Sequence, residues 1–193
     1  MSTSPKLVPS VEKPPTIKDL GSIDITQLKA LMMRLSETAW DKEDSRKENK
    51  FDCFHHTTRH VIFRFIEGNR DHRVHYANPI WDIWKAVLLP VMEKAIEPYG
   101  FAQPEYPKVM FARLAAGKCI TVHTDGAGSN LHTHKIHVPL ITNPEAILTT
   151  NKESFHLKQG QAYEVNNIAA HGCRNRGEED RTHLIFEVFD ASQ

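Results

Sequence analysis

The sequence predicts a mainly β fold with flanking helices, a jelly-roll barrel backed by helical segments, on three observations. Short strand-like runs separated by Gly, Asn and Pro crowd the chain from Lys108 onward, helical periodicity is confined to the part before them, and no internal repeat or low-complexity tract interrupts either.

In chain order, residues 1–20 are rich in Pro, Ser and Lys with few large apolar groups, which predicts a flexible arm. SIDITQLKALMMRLSETAW then places Ile25, Leu28, Leu31, Met32 and Leu35 on one helical stripe, with Asp24 and Gln27 as a capping box. The charge run DKEDSRKENK reads as a solvated loop. HVIFRFIE, residues 60–67, alternates as a strand does. In NPIWDIWKAVLLPVMEKAIEPYG a second helix is predicted, capped by Asn78, begun by Pro79, kinked or divided at Pro90 and ended by Gly100. After it come VMFARLAA, KCITVHT, KIHVPLI, AILTT, SFHLK, QAYEV and HLIFEVF, which together predict about eight antiparallel strands.

A chain of 193 residues is long enough to bury a core without disulfides or a structural metal. Lys plus Arg number 24 and Asp plus Glu number 24, so no basic excess points to nucleic acid or an anionic membrane surface. A small molecule, a peptide or a protein side chain is the expected partner; oligomeric state is not legible. Cys53, Cys119 and Cys173 are odd in number, far apart and without CxxC spacing, which predicts a reducing, cytoplasmic setting. The amino terminus shows no signal-peptide pattern, and no stretch reaches the roughly 18 apolar residues of a membrane span.

The chemistry is concentrated in ITVHTDG, where His123 and Asp125 stand two residues apart at the end of an apolar strand. Side chains at i and i+2 of a strand point the same way, so imidazole and carboxylate can share one ion. The plainer reading is a turn in which Asp125 bonds nearby amides ahead of Gly126. A second block supplies His171, and Arg181 begins the last strong strand. Two histidines and a carboxylate leave ligand positions open, as iron(II) oxygenases require. The far carboxylate of 2-oxoglutarate would then need a buried cation, and Arg181 offers a planar, permanently charged fork; its plainer role is an ion pair with Glu178, Glu179 or Asp180. Ile136, Val138 and Leu140 form one apolar face, which predicts that Lys135 and His137 point into the barrel; their plainer reading is exposure to solvent. Arg59, His60, Arg64, Asn130, His132 and Arg174 are the substrate-side expectations, and Asn166 and Asn167 could orient metal ligands through hydrogen bonds.

These pieces, taken with Arg113–Gly117 (RLxxG), His123–Gly126 (HTDG), His134–Leu140 (HKIHVPL), Gly160–Asn167 (GQAYEVNN), Asn175 and Arg181–Phe186 (RTHLIF), make the stretch from Met110 to Phe189 resemble the aspartyl/asparaginyl beta-hydroxylase family of 2-oxoglutarate dioxygenases. The resemblance implies a double-stranded β-helix (cupin-like) core over 108–190, within a single dioxygenase domain of residues 21–193 whose helical and strand part is 21–107. It implies Fe(II), 2-oxoglutarate and O2 as cofactors, with ascorbate as an aid. Iron would be held by His123, Asp125 and His171, and the co-substrate by Arg181, Lys135, His137 and Arg113. The implied reaction hydroxylates a C–H bond of an amino acid or of a peptidyl, Asp/Asn-like substrate and releases succinate and CO2. The animal enzymes that name the family have glycine where this chain has Asp125, and short bacterial relatives act on free amino acids, so the substrate stays open. A metal-binding barrel with isomerase, hydrolase or sensor activity, lacking any need for Arg181, is the rival reading.

Overall fold

Alternation along the long strands decides the architecture. In the computed structural model, which describes residues 10–46, 54, 57–126, 128–151 and 153–193, the chain runs β1 (Ile17–Ser22), α1 (Thr26–Met32), α2 (Glu37–Asp44), β2 (Thr58–Ile66), β3 (His75–Ala77), α3 (Ile80–Ile96), β4 (Pro104–Leu114), β5 (Cys119–His123), β6 (His134–Ile141), β7 (Ala146–Thr150), β8 (Ser154–Phe155), β9 (Gln161–Val165), β10 (His171–Asn175) and β11 (Arg181–Asp190). Seven strands form one antiparallel sheet in the order β1-β9-β6-β11-β4-β2-β3, and four form a smaller one, β5-β10-β7-β8. On the large sheet, Val61 and Phe63 of β2, Val109 and Phe111 of β4, Ile136, Val138 and Leu140 of β6, and Leu184, Phe186 and Val188 of β11 pack into one core with the helices. The intervening residues, Ile62, Lys108, Met110, Ala112, Lys135, His137 and Ile185 among them, face a cavity between the two sheets. This is the jelly-roll, double-stranded β-helix arrangement.

Five local expectations are corrected. The stripe over 22–40 is two helices: the chain leaves α1 after Met32, and Ser36 caps α2 by accepting from the Ala39 N–H (3.2 Å). Asp24 accepts from the Thr26 N–H (2.9 Å) in place of a capping box with Gln27, because Ile25 stands at the cap position. The charge run begins as α2 and not as a loop, since Trp40, fully buried against Phe111, anchors that helix; residues 47–50 lie outside the described residues. Asn78 ties α3 to β2 by donating its side-chain amide to the Ile62 carbonyl (2.8 Å), leaving Pro79 at the cap position. Pro90 does not divide α3, which is continuous over Ile80–Ile96; Pro90 and Ala86, whose carbonyl loses its helical donor, are both exposed, so water can replace the missing N–H.

The arm expected over 1–20 is ordered structure from Ser10 on. Ile17 to Ser22 pair with β9, because β9 would otherwise present an unpaired edge. Among the described residues no helix is long and apolar enough to cross a membrane.

Candidate metal centre

The two sheets bring distant histidines together through strand register. β5 and β10 pair antiparallel with His123 directly opposite His171, and the two rings lie 4.5 Å apart between centroids. The close approach needs Gly172, because a Cβ there would meet the Ile120 carbonyl at 3.0 Å. Asp125 follows β5 in the turn that Gly126 permits with its positive φ of 77°. Its Oδ1 lies 3.4 Å from His123 Nε2 and 3.9 Å from His171 Nε2, and one ligand atom from each of the three residues falls within 4.8 Å of the others.

Both imidazoles are oriented from behind. His123 Nδ1 bonds the Thr121 carbonyl and His171 Nδ1 bonds the Ala169 carbonyl, each at 2.8 Å. A carbonyl only accepts, so each Nδ1 carries the proton and each Nε2 turns a lone pair toward the shared point. The second Asp125 oxygen, Oδ2, is held by the Lys135 ammonium. Burial opposes the charge on Asp125, yet Lys135 and His123 outweigh it and hold the carboxyl well below the usual range. Lys135 is likewise kept charged, its pKa raised against its own burial by Asp125 and Glu187. The donor set of two neutral nitrogens and one carboxylate oxygen therefore fits a divalent iron site.

Beside this triad lies Arg181, only 4 % exposed. Its Nη2 donates to Cys173 Sγ (3.5 Å), and among the described residues no carboxylate stands within ion-pair distance of it. Glu178, Glu179 and Asp180 do not take it: Asp180 accepts from the Ala116 N–H (2.9 Å) instead. A buried guanidinium without an anion is costly, and a ligand carboxylate would balance it. His137 and His183 stand 3.5 Å apart between Nδ1 atoms nearby; burial first, with the charges of Lys135 and Arg181 at His137 and of Arg181 at His183, keeps both neutral with pKa values well below the ordinary histidine range.

The cavity that holds the triad measures about 870 Å³. His123, Asp125, His171, Lys135, His137, Arg181 and Asn130 all line it, as the sequence led one to expect. Arg113 does not. It shares the helix-facing side of β4 with Phe111, stacks 4.0 Å over Trp40 and pairs with Glu37 (2.8 Å), so the co-substrate role expected of it is withdrawn. Four substrate-side expectations also fall outside the wall. Arg59 pairs with Glu37 and Asp41, Arg64 lies over Trp81 and bonds His75, His132 stacks on His72 and bonds Ser10, and Arg174 is exposed on β10. Asn130 is 4 % exposed and donates to the Asp125 carbonyl (2.9 Å), which makes it a support of the triad.

Residues missed by the sequence reading complete the wall. Phe54 stands edge-on to His123 with centroids 5.0 Å apart, Thr58, Ile62 and Met110 come from the cavity side of β2 and β4, and Arg70, exposed at the β2–β3 turn, reaches the cavity with no ion-pair partner among the described residues. Strand parity signalled the first group, since His60 and Ile62 alternate with core residues; nothing local marked Arg70.

The model of the family described as aspartyl/asparaginyl beta-hydroxylase matches residues 84–191, from within α3 through β11. No curated protein matches by sequence. Among solved structures, HygX from Streptomyces hygroscopicus, with nickel and 2-oxoglutarate bound, is similar at a TM-score of 0.57 and 11% identity, covering 91% of this chain and 83% of that one. The viral collagen prolyl hydroxylase of Paramecium Bursaria Chlorella virus-1, as its 2OG complex, gives 0.55 and 8%, with 90% and 94% covered. An oxidoreductase of the 2OG-Fe(II) oxygenase family from Burkholderia pseudomallei gives 0.55 and 13%, with 78% and 76% covered. At these identities the likeness is one of fold.

Proposed function

Since this chain belongs to the aspartyl/asparaginyl beta-hydroxylase family, we propose that it is an Fe(II)- and 2-oxoglutarate-dependent dioxygenase that hydroxylates a C–H bond of an amino acid or peptidyl substrate. The observation that supports this most is the pairing of a convergent His123–Asp125–His171 donor set with a buried, anion-free Arg181. When bound, iron(II) supplies the activation of O2, one oxygen atom ending in succinate and the other in the hydroxylated product, with CO2 released.

The chain's own residues do the rest. His123 and His171 offer Nε2 and Asp125 offers Oδ1 to the ion, while Lys135 holds Oδ2 and so keeps the carboxylate in one orientation. Arg181 takes the far carboxylate of 2-oxoglutarate through its planar fork. Neutral His137, on the same wall, adds a hydrogen-bonding edge without a further charge. Ile62, Met110, Ile120 and Ile185 keep the neighbourhood dry, which protects the reaction from water. A cavity of about 870 Å³ exceeds what a five-carbon diacid fills, so a second molecule fits beside it. Arg70 at its edge, without an ion-pair partner among the described residues, favours a substrate that carries a carboxylate, in keeping with an amino acid or an acidic side chain.

Anaerobic loading with Fe(II) and 2-oxoglutarate, then oxygen and a panel of amino acids and acidic peptides, tests the reading. Succinate formation with a product heavier by one oxygen atom is expected. Absence of succinate formation with every substrate, by protein that holds iron, would overturn it in favour of the non-oxygenase barrel.

A further inference from the structure

Asp125 stands two residues beyond the end of β5, so the sheet ladder does not hold its backbone. Other groups do. Its N–H donates to the Asn167 carbonyl (3.0 Å), and its carbonyl accepts from Asn130 Nδ2 (2.9 Å). Asn130 Oδ1 in turn accepts from Asn167 Nδ2 (2.8 Å), and Asn167 Oδ1 accepts from Lys13 Nζ (3.0 Å). Lys13 also donates to the Thr133 carbonyl. Asn167 and Thr133 are fully buried and Asn130 nearly so.

The polarity of this chain is fixed at both ends. A lysine ammonium has only donors, so Asn167 must turn its oxygen to Lys13 and its NH2 to Asn130; Asn130 must then turn its own NH2 to Asp125, whose carbonyl can only accept. Remove Lys13 and a fully buried amide oxygen loses the one donor that the described residues give it, and the amide can relieve this only by rotating away from Asn130. The lysine is brought there by the N-terminal segment, which is pinned on either side: the Ser10 N–H donates to the Leu131 carbonyl (2.9 Å), and Asn166 donates from its side chain to the Pro14 carbonyl (2.8 Å) and from its backbone to Thr16 (2.9 Å).

We infer that Lys13 is a positioning residue of the metal centre, acting through Asn167 and Asn130 to hold the Asp125 backbone, so that the N-terminal segment is a working part of the site. The inference rests on the His123–Asp125–His171 reading of the metal. It is tested with cobalt(II) alone, by calorimetric affinity and by the visible ligand-field spectrum of the full chain. Lys13→Met is expected to weaken Co(II) binding about 10- to 100-fold and to change the spectrum, with a modest fall in the thermal midpoint of the metal-free protein from the amide oxygen left without its donor. Lys13→Arg, which keeps charge and donors, is expected to restore both, and Ser10→Ala, which removes the Oγ contact to His132 (2.7 Å) but keeps the Ser10 N–H pin and leaves Lys13 and Asn167 untouched, to change neither. Should Lys13→Met not fold, Lys13→Ala, which likewise removes the donor, gives the same readout. Wild-type affinity and spectrum in the Lys13 variant, or an equal loss in Ser10→Ala, overturns the inference. Failure of the unaltered chain to bind Co(II) overturns instead the metal reading beneath it.

Discussion

A single guanidinium carries the distinction between a dioxygenase and a plain metal barrel. Arg181 is buried and, among the described residues, its side chain donates only to the Cys173 thiol, so its natural counter-ion is a ligand carboxylate. Truncating one partner of a buried, hydrogen-bonded charge pair costs about 2–5 kcal/mol, which is about 30-fold or more in affinity. Arg181→Ala is therefore expected to weaken 2-oxoglutarate binding by at least that factor while Co(II) affinity is retained, as calorimetry would show. Unchanged 2-oxoglutarate affinity would return Arg181 to a structural role. At this scale the site was legible where chemistry is written in contiguous residues. HTDG places imidazole and carboxylate two apart, and strand parity turns Lys135 and His137 inward. Arg113 misled because the RLxxG motif carried it, although parity sets it beside Phe111 on the helix side of β4. The partner that Lys135 finds in Asp125 was not legible, because a lysine reaching across the cavity leaves no spacing signal.

Elements decide whether the two histidines meet. β5 is an edge strand of the small sheet, and its pairing with β10 sets His123 opposite His171 only while Gly172 lets the backbones close. Gly172→Ala adds a methyl 3.0 Å from the Ile120 carbonyl, tighter than an ordinary contact, and backbone yields less readily than a side chain. We expect weaker metal binding together with a stability loss on the order of 1–3 kcal/mol, measured by urea unfolding of the metal-free protein. The helical layer offers a change of opposite sign. Pro90 denies the Ala86 carbonyl its donor; restoring it recovers up to about 3 kcal/mol, offset by up to about 1 kcal/mol of added freedom in the unfolded chain. Pro90→Ala should therefore stabilise by at most about 2 kcal/mol, and by less where water already serves the exposed Ala86 carbonyl, a rise in thermal midpoint without effect on metal affinity. Sequence periodicity found α3, β2 and seven of the eight strands after α3, but it missed the short β3 and β10 and also β1. A strand that is polar and half exposed has no apolar signature, and only the open edge of β9 calls it into place.

For the whole molecule, the buried titratable groups around the cavity tie stability to pH. His137 and His183 are held neutral in the folded protein, with pKa values below the 6.5 of a free histidine, while the unfolded chain titrates at that ordinary value. As pH falls through 6.5 the unfolded state takes up protons that the folded state refuses, so stability is lost downward from there until the folded pKa values are reached. Two such protons correspond to about 2–3 kcal/mol per pH unit. His171, also lowered, chiefly by burial, acts in the same direction. His123 is the exception: Asp125 and the Thr121 carbonyl raise it against burial, so its contribution is full below 6.5 and is lost as pH rises through its folded pKa. Further down, Asp125 and Glu187, both depressed by lysine neighbours against burial, supply stability that is present above the ordinary carboxylate range and lost as pH drops through their folded values. Urea midpoints of the metal-free protein should therefore fall steeply as pH drops below 6.5, and His183→Asn should flatten that slope by about one proton. An ion on His123 and His171 must find Nε2 unprotonated, so added Co(II) should raise the unfolding free energy by about 2.7 kcal/mol at a hundredfold excess over its Kd near neutral pH and progressively less as the medium is acidified. A slope that His183→Asn leaves untouched would place the acid sensitivity elsewhere in the molecule.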